Sequence, residues 1–206
     1  MKAIDIPKKY SDYYTASDTA EIVHFEKANY IALLGNGSPG TNSFYDKKKA
    51  LIKFCATLQL HFNQTEKAFK SDIIEIFYWF DEEEGFVDIG DFYTTIDLEK
   101  LHYRIAIRIP DFITEDDIRY IAENSSNPFS SQYELFIYDS GQCVQIMHLG
   151  PFAGELETLP VLQKFATDNG LIKSGLHHEI HLVNFEKGQN QEHLKTILRD
   201  SVTIIQ

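Results

Sequence analysis

The chain has 206 residues, 43% of them hydrophobic, which suits one domain with a sizeable core or two small modules that share one. Its 31 Asp and Glu against 19 Lys and Arg give a formal net charge of -12, and no cluster of basic residues is present to displace the counterions of a phosphate backbone, so nucleic acid is excluded as a partner. No apolar run approaches the ~20 residues of a membrane span, two cysteines make no disulfide framework, and MKAIDIPKKYSDYY lacks the apolar stretch of a signal peptide, which together predict a cytoplasmic protein without a membrane partner.

Residues 1–20 are polar with scattered tyrosines and read as an N-terminal arm, too short for a helix-turn-helix. Residues 21–37, EIVHFEKANYIALLGNG, read as a strand or bent strand that ends in a glycine-rich turn. In FYDKKKALIKFCATLQLHF, the positions Phe44, Leu51, Phe54, Cys55, Leu58 and Phe62 recur at helical spacing, with Asn42 or Ser43 as cap. The basic run Lys47-Lys48-Lys49 reads as the solvated face of that helix. Ile73–Phe80 is a strand by its β-branched and aromatic content. The acidic turn Asp81–Gly85 and the ambiguous residues 86–100 follow.

In LHYRIAIRIP, Tyr103, Ile105, Ile107 and Ile109 alternate with His102, Arg104, Ala106 and Arg108, the pattern of a half-buried strand. Thr114 and Asp117 make a capping-box signature for a short helix over TEDDIRYIAEN. YELFIY, the turn DSGQ and CVQIMHLG read as a hairpin. A helix covers Thr158–Asp168, with Pro160 tolerable only in its first turn. HHEIHLV is a strand and QEHLKTILRD a last short helix. Leu33–Gly37 before the first long helix and Met147–Gly150 before the second occupy matching places in a loose internal repeat.

The C-terminal third carries a recognisable pattern. MHLGPFAGELETLPVLQKFATDNG, GLHHEIHL and EHLKTILR resemble, without gaps, the M-H-I/L-G-P-Y-x-x-E, N-G, H-H-E-I-Y-L and K-L-K-T-I-L/I-R motifs of stand-alone GyrI-like proteins. Upstream, YIALLGNGSPGTNSFYDKKKALIKF is similar to that family's strand, G-x-G-x-P turn and helix. IIEIFYWF stands where the family has L-E-G-L-W-W, and IPDFITEDDI where it has Q-P-x-F-V-T. The resemblance runs from about Tyr10 to Val202.

It implies an α+β fold of tandem β-α-β-β modules, about 21–110 and 111–206, with antiparallel sheets joined and a ligand cleft between the two long helices. It also implies a class of function, because relatives include effector domains of multidrug-responsive regulators, gyrase inhibitors and hydrolases of strained cyclopropane rings. The first reading is therefore a protein that binds a small aromatic or cationic organic molecule, as a sensor or sequesterer of xenobiotics. The alternative is a hydrolase of cyclopropane-containing genotoxic compounds. A remoter one is a protein-interaction inhibitor whose Asp81–Glu84 run mimics phosphate. No cofactor is implied, and a monomer is expected because no heptad or exposed apolar edge stands out.

The resemblance places Glu179 at the base of the cleft, with a raised pKa expected from partial burial, and Glu155 beside it just ahead of the second helix. Opening a strained ring needs a nucleophilic water and a proton for the departing electron pair, roles that two carboxyls in different environments can divide. Alternation along the strand sets His177, Glu179 and His181 against His178, Ile180 and Leu182, the second set facing the helices and the first facing solvent. Tyr78 and Trp79 match the W-W platform for a flat ring, Glu75 shares a face with Trp79, and Tyr30, Phe44, Phe152 and His181 are further lining candidates. His177, Glu179 and His181 also make an H-x-E-x-H set, but no further ligand beyond His148 is near, so no metal is expected. Phe152, His181 and Tyr78 depart from the Tyr, Tyr and Trp of the motifs, and Ile76 from a Gly.

Overall fold

The computed structural model describes residues 3–125 and 127–205. Ten strands and four helices occur in the order β1 (Ile4–Asp5), α1 (Ile6–Lys9), β2 (Glu21–Phe25), β3 (Ala28–Asn36), α2 (Asn42–Phe62), β4 (Phe69–Lys70), β5 (Ile74–Trp79), β6 (His102–Ile109), α3 (Glu115–Glu123), β7 (Tyr133–Tyr138), β8 (Gly141–Leu149), α4 (Glu155–Asp168), β9 (Leu171–His181) and β10 (Lys195–Ile204). Eight strands form one antiparallel sheet in the order β2-β8-β10-β9-β5-β6-β3-β7. Its centre is a pseudo-twofold arrangement: β3-α2-β5-β6 and β8-α4-β9-β10 are two copies of one unit, joined where β5 pairs with β9. This is the α+β architecture the motifs implied.

The sheet is strongly curled, and chain connectivity requires it. Phe25 ends β2 and Ala28 begins β3, a separation of at most about 11 Å along the chain. Six inter-strand spacings lie between them in the sheet order, about 29 Å if it were flat. Tyr138 and Gly141 impose the same closure on β7 and β8. The segments expected as a bent strand and as a hairpin therefore do not pair with themselves: β2 and β7 each add to the far module. Inside the curl, the Tyr138 hydroxyl reaches from edge strand β7 to Ser201 Oγ of β10 at 3.0 Å and accepts from the Leu176 amide of β9.

Both faces of the sheet are covered. On the outer face, α2 packs on β3 and β6, and α4 on β8 and β9. The periodic α2 positions are all buried, each large apolar side chain contributing about 1.5–3 kcal/mol. Burial of β6 on both faces replaces the half-buried strand its alternation suggested. The inner face holds a small apolar cluster of Ala28, Tyr30, Ala32, Phe77 and Ala106. It also takes in the N-terminal residues, which are no arm: Ile4 pairs with Phe69, and Tyr13 and Tyr14 are buried.

Local departures have local causes. Thr41, not Asn42 or Ser43, caps α2 by accepting from the Phe44 amide. Lys48 is wholly buried rather than solvated, its ammonium on Asn184 Oδ1 (2.7 Å) and the Phe185 carbonyl, so it ties α2 to the 183–194 loop. Helix α4 begins at Glu155, which puts Pro160 beyond the first turn. Residues 195–204 are strand β10, not a helix, because Thr196, Ile197, Val202 and Thr203 suit a pleated ladder buried between β8 and β9.

Candidate functional site

The N-terminal ends of α2 and α4 flank a cavity of about 320 Å³ on the outer face of the sheet. Its base is Ile76 and Tyr78 of β5 with Glu179 and His181 of β9, side chains that register places together across the strand pair. Phe44 and Tyr45 of α2 form one wall. Glu155 and Leu156 of α4, with Phe152 ahead of them, form the other. Phe185 and Gln191 close it from the 183–194 loop, where Lys48 sits 4.5 Å from the Phe185 ring centre. Gly35 permits part of this wall: a Cβ there would lie 2.2 Å from the Tyr103 ring, which packs on Phe44 at 5.2 Å.

Six of the residues singled out in the sequence meet here: Glu179, Glu155, Tyr78, Phe152, His181 and Phe44. Three do not. Glu75, Trp79 and Tyr30 point to the opposite face, because β5 and β3 alternate and the face that meets the helices carries Ile76 and Tyr78, Ile31 and Leu33. Tyr30 and Glu75 are buried inside the curl, while Trp79 is half-buried, stacked on His102 at 5.6 Å. The polar set of β9 is likewise reversed. His177, Glu179 and His181 face the helices, all buried, instead of solvent. Tyr93, Tyr45, Phe185 and Gln191 went unnoticed in the sequence; Tyr93, Phe185 and Gln191 lie in loops without periodicity.

Glu179 is 3% exposed and densely served. The Tyr93 hydroxyl donates to its Oε1, His181 Nε2 lies 3.0 Å from Oε2, and His177 Nε2 lies 3.7 Å from Oε1. Burial opposes its charge, but the two imidazoles outweigh burial and hold the carboxyl below the usual range. This reverses the expected raised pKa. Glu155 takes that role: 4% exposed, its Oε1 without a partner, it is driven well above the usual carboxylate range by burial and then by the Glu179 charge. A proton on the pair therefore favours Glu155 over Glu179. Burial, with the same Glu179 charge, keeps the Tyr78 and Tyr93 phenols protonated far above their ordinary range.

Among the described residues, no group of three or more His, Cys, Asp or Glu is placed to hold a metal ion. His148 turns instead to Thr158 Oγ1 and the Pro151 carbonyl, each at 2.9 Å, and fixes the turn into α4. Among the described residues no helix is long and apolar enough to cross a membrane.

Neither protein-family models nor curated proteins give a match to the chain. Solved structures do. An uncharacterized conserved protein from Listeria innocua superposes with a TM-score of 0.82 at 26% identity, over 97% of this chain and 100% of its own. A hydrolase from Listeria innocua gives 0.81 at 25% identity, over 98% and 100%. The C-terminal domain of EcmrR gives 0.52 at 13% identity, over 91% and 98%. The chain has the GyrI-like fold. In this chain the cavity lies between the two long helices, where the motifs placed a cleft.

Proposed function

We propose that the cleft binds a flat aromatic small molecule and adds water to it, with Glu155 as proton donor. The observation that carries this reading is the asymmetry of the two carboxyls: both border one aromatic cavity, one without a hydrogen-bond partner for its buried oxygen, the other accepting from the Tyr93 hydroxyl with two imidazoles within 3.7 Å. A carboxylic acid still protonated near neutrality is suited to general-acid work. Protonating the oxygen that takes up the electron pair activates a strained, conjugated cyclopropane. Water then forms a bond to the ring carbon as the carbon–carbon bond breaks, Glu155 supplies the proton to the departing electron pair, and Glu179 orients the water and receives its proton. Likeness to the Listeria innocua hydrolase over the whole of both chains supports this class of reaction.

Binding without turnover is a second reading. Phe152 stands where the family motif has a tyrosine, so that wall offers no hydroxyl to a bound molecule. A simple cation trap is less well supported, since His177 is raised toward its charged form beside Glu179 and burial favours the neutral form of Glu155.

Mass spectrometry of a cyclopropane-bearing DNA-alkylating compound incubated with the protein tests the proposal. The expected result is protein-dependent addition of one water, lost in Glu155→Gln and in Glu179→Gln. Retention of the compound unchanged would establish the binding reading instead.

A further inference from the structure

Two buried groups beside the cleft do not line it. His177 and Asp200 are both 0% exposed, on neighbouring strands β9 and β10, on the sheet face that bears Glu179. His177 Nδ1 lies 2.9 Å from Asp200 Oδ2. Its Nε2 faces Glu179 Oε1 at 3.7 Å and has no hydrogen-bond partner. Asp200 Oδ1 is also without one, and Lys173 Nζ stands 3.8 Å from it. Lys173 in turn borders a second cavity, behind Tyr78 and Phe92. Burying an acid, an imidazole and a second acid in a row is costly unless each is compensated. The flanking sheet positions Leu198 and Val144 show that packing alone is met there by apolar residues.

We infer that His177 and Asp200 are positioning residues for the carboxyl pair: Asp200 fixes the imidazole with one N–H toward Glu179, and this placement settles the shared proton on Glu155. The groups that face His177 are Asp200 from β10, Glu179 from its own strand, Tyr78 from β5, and Phe92 and Tyr93 from the 85–97 loop. Lys173 lies behind Asp200, with Asp88 acting on it. Burial opposes charge on His177, but Asp200 and then Glu179 raise it to about 9. An imidazolium at this place favours an ionised Glu179, while no donor reaches the buried oxygen of Glu155. The catalytic consequence rests on the hydrolytic reading; the electrostatic one does not.

Two measurements separate them. Nitrogen NMR of the imidazoles reads the dyad directly, with one ring expected to keep both nitrogens protonated at about pH 8 in the wild type and to lose one in Asp200→Asn. Hydrolysis of the cyclopropane compound reads its consequence. Asp200→Asn is expected to lower kcat about 10–100-fold, the size seen where a carboxylate orients a functional imidazole, with KM unchanged. The acid limb of its pH profile is expected to move to higher pH, as Glu179 becomes easier to protonate. His177→Asn removes the same charge and serves if Asp200→Asn does not fold. Every imidazole neutral at about pH 8 in the wild type would overturn the inference whether or not the protein turns over substrate. So would a folded variant with the wild-type kcat and pH profile.

Discussion

Two buried glutamates on adjacent central strands invite comparison. Glu75 on β5 accepts from Tyr13 (2.7 Å) and Tyr14 (3.0 Å) and meets His178 at 2.9 Å. Glu179 on β9 accepts from Tyr93 and meets His181 and His177. The company is alike: phenols and imidazoles around a carboxyl at most 3% exposed. What differs lies beyond them. Glu75 looks into the inside of the curl, where the N-terminal tyrosines cover it and Arg199 packs 4.4 Å from the Tyr13 ring centre. Glu179 looks into an open cavity with a second carboxyl on its far wall. A satisfied buried acid is a structural clasp; the same acid beside an open cavity and a carboxyl whose Oε1 lacks a partner is the candidate site.

Exchanging the acids breaks the comparison most sharply. Glu155→Gln and Glu179→Gln are expected to reduce water addition by about 10²–10⁴-fold, the general acid–base range, while urea unfolding stays near wild type. Glu75→Ala is expected to do the reverse. It leaves Tyr13, Tyr14 and His178 without their acceptor, at about 1–3 kcal/mol for each buried group left unsatisfied, so the urea midpoint falls while turnover per folded molecule persists. Loss of turnover in Glu75→Ala at full folding would dissolve the distinction.

The histidines that serve the two acids should separate with pH. Burial lowers His178 to about 4 despite Glu75. Between that value and its ordinary 6.5 the unfolded chain binds a proton the folded one refuses, so stability is full above about 6.5 and falls as pH drops toward 4. His177, raised to about 9, behaves oppositely: its contribution is full below 6.5 and disappears as pH climbs through 9. Tm followed by circular dichroism should therefore decline on both sides of neutrality, and a flat acid side would count against a neutral, buried His178. The smallest effect is remote from both acids. Thr114→Ala opens the capping box of α3 and should cost about 1 kcal/mol of unfolding free energy with no change in turnover.

Much of this was legible in the residues. The periodic face of α2, the Thr114–Asp117 box and the alternation of β9 each follow from local chemistry. The C-terminal motifs located Glu179, Glu155, Phe152 and His181 together before any coordinates. Strand parity was the harder problem. Period two tells which residues share a face but not which face meets the helices, and here both faces are buried, so Glu75, Trp79 and Tyr30 were placed in the wrong layer. The polar triplet of β9 misled in the same way, since polar residues face solvent only when nothing covers them. Pairing was hidden too. The segment across Phe25 reads as one bent strand and the turn after Tyr138 as a hairpin corner, whereas the curl sends their strands to distant partners. Tyr93 and Phe185 reach the cleft from loops, where no repeat marks a side chain's direction.

Strand β10 has a consequence for the order of assembly. It follows the other nine strands in the chain yet lies between β8 and β9 in the sheet, and it carries Asp200 on one face and Arg199 on the other. On a ribosome, the first module can pair β3, β5 and β6 early. The second must wait with two unpaired strand edges until residues 195–204 emerge, and the tyrosines at the N-terminal end must wait longest, because Arg199 holds the Tyr13 carbonyl at 2.7 Å. The candidate cleft and the clasp behind it are thus completed by the same late stretch of chain, and a nascent protein has neither until it has both.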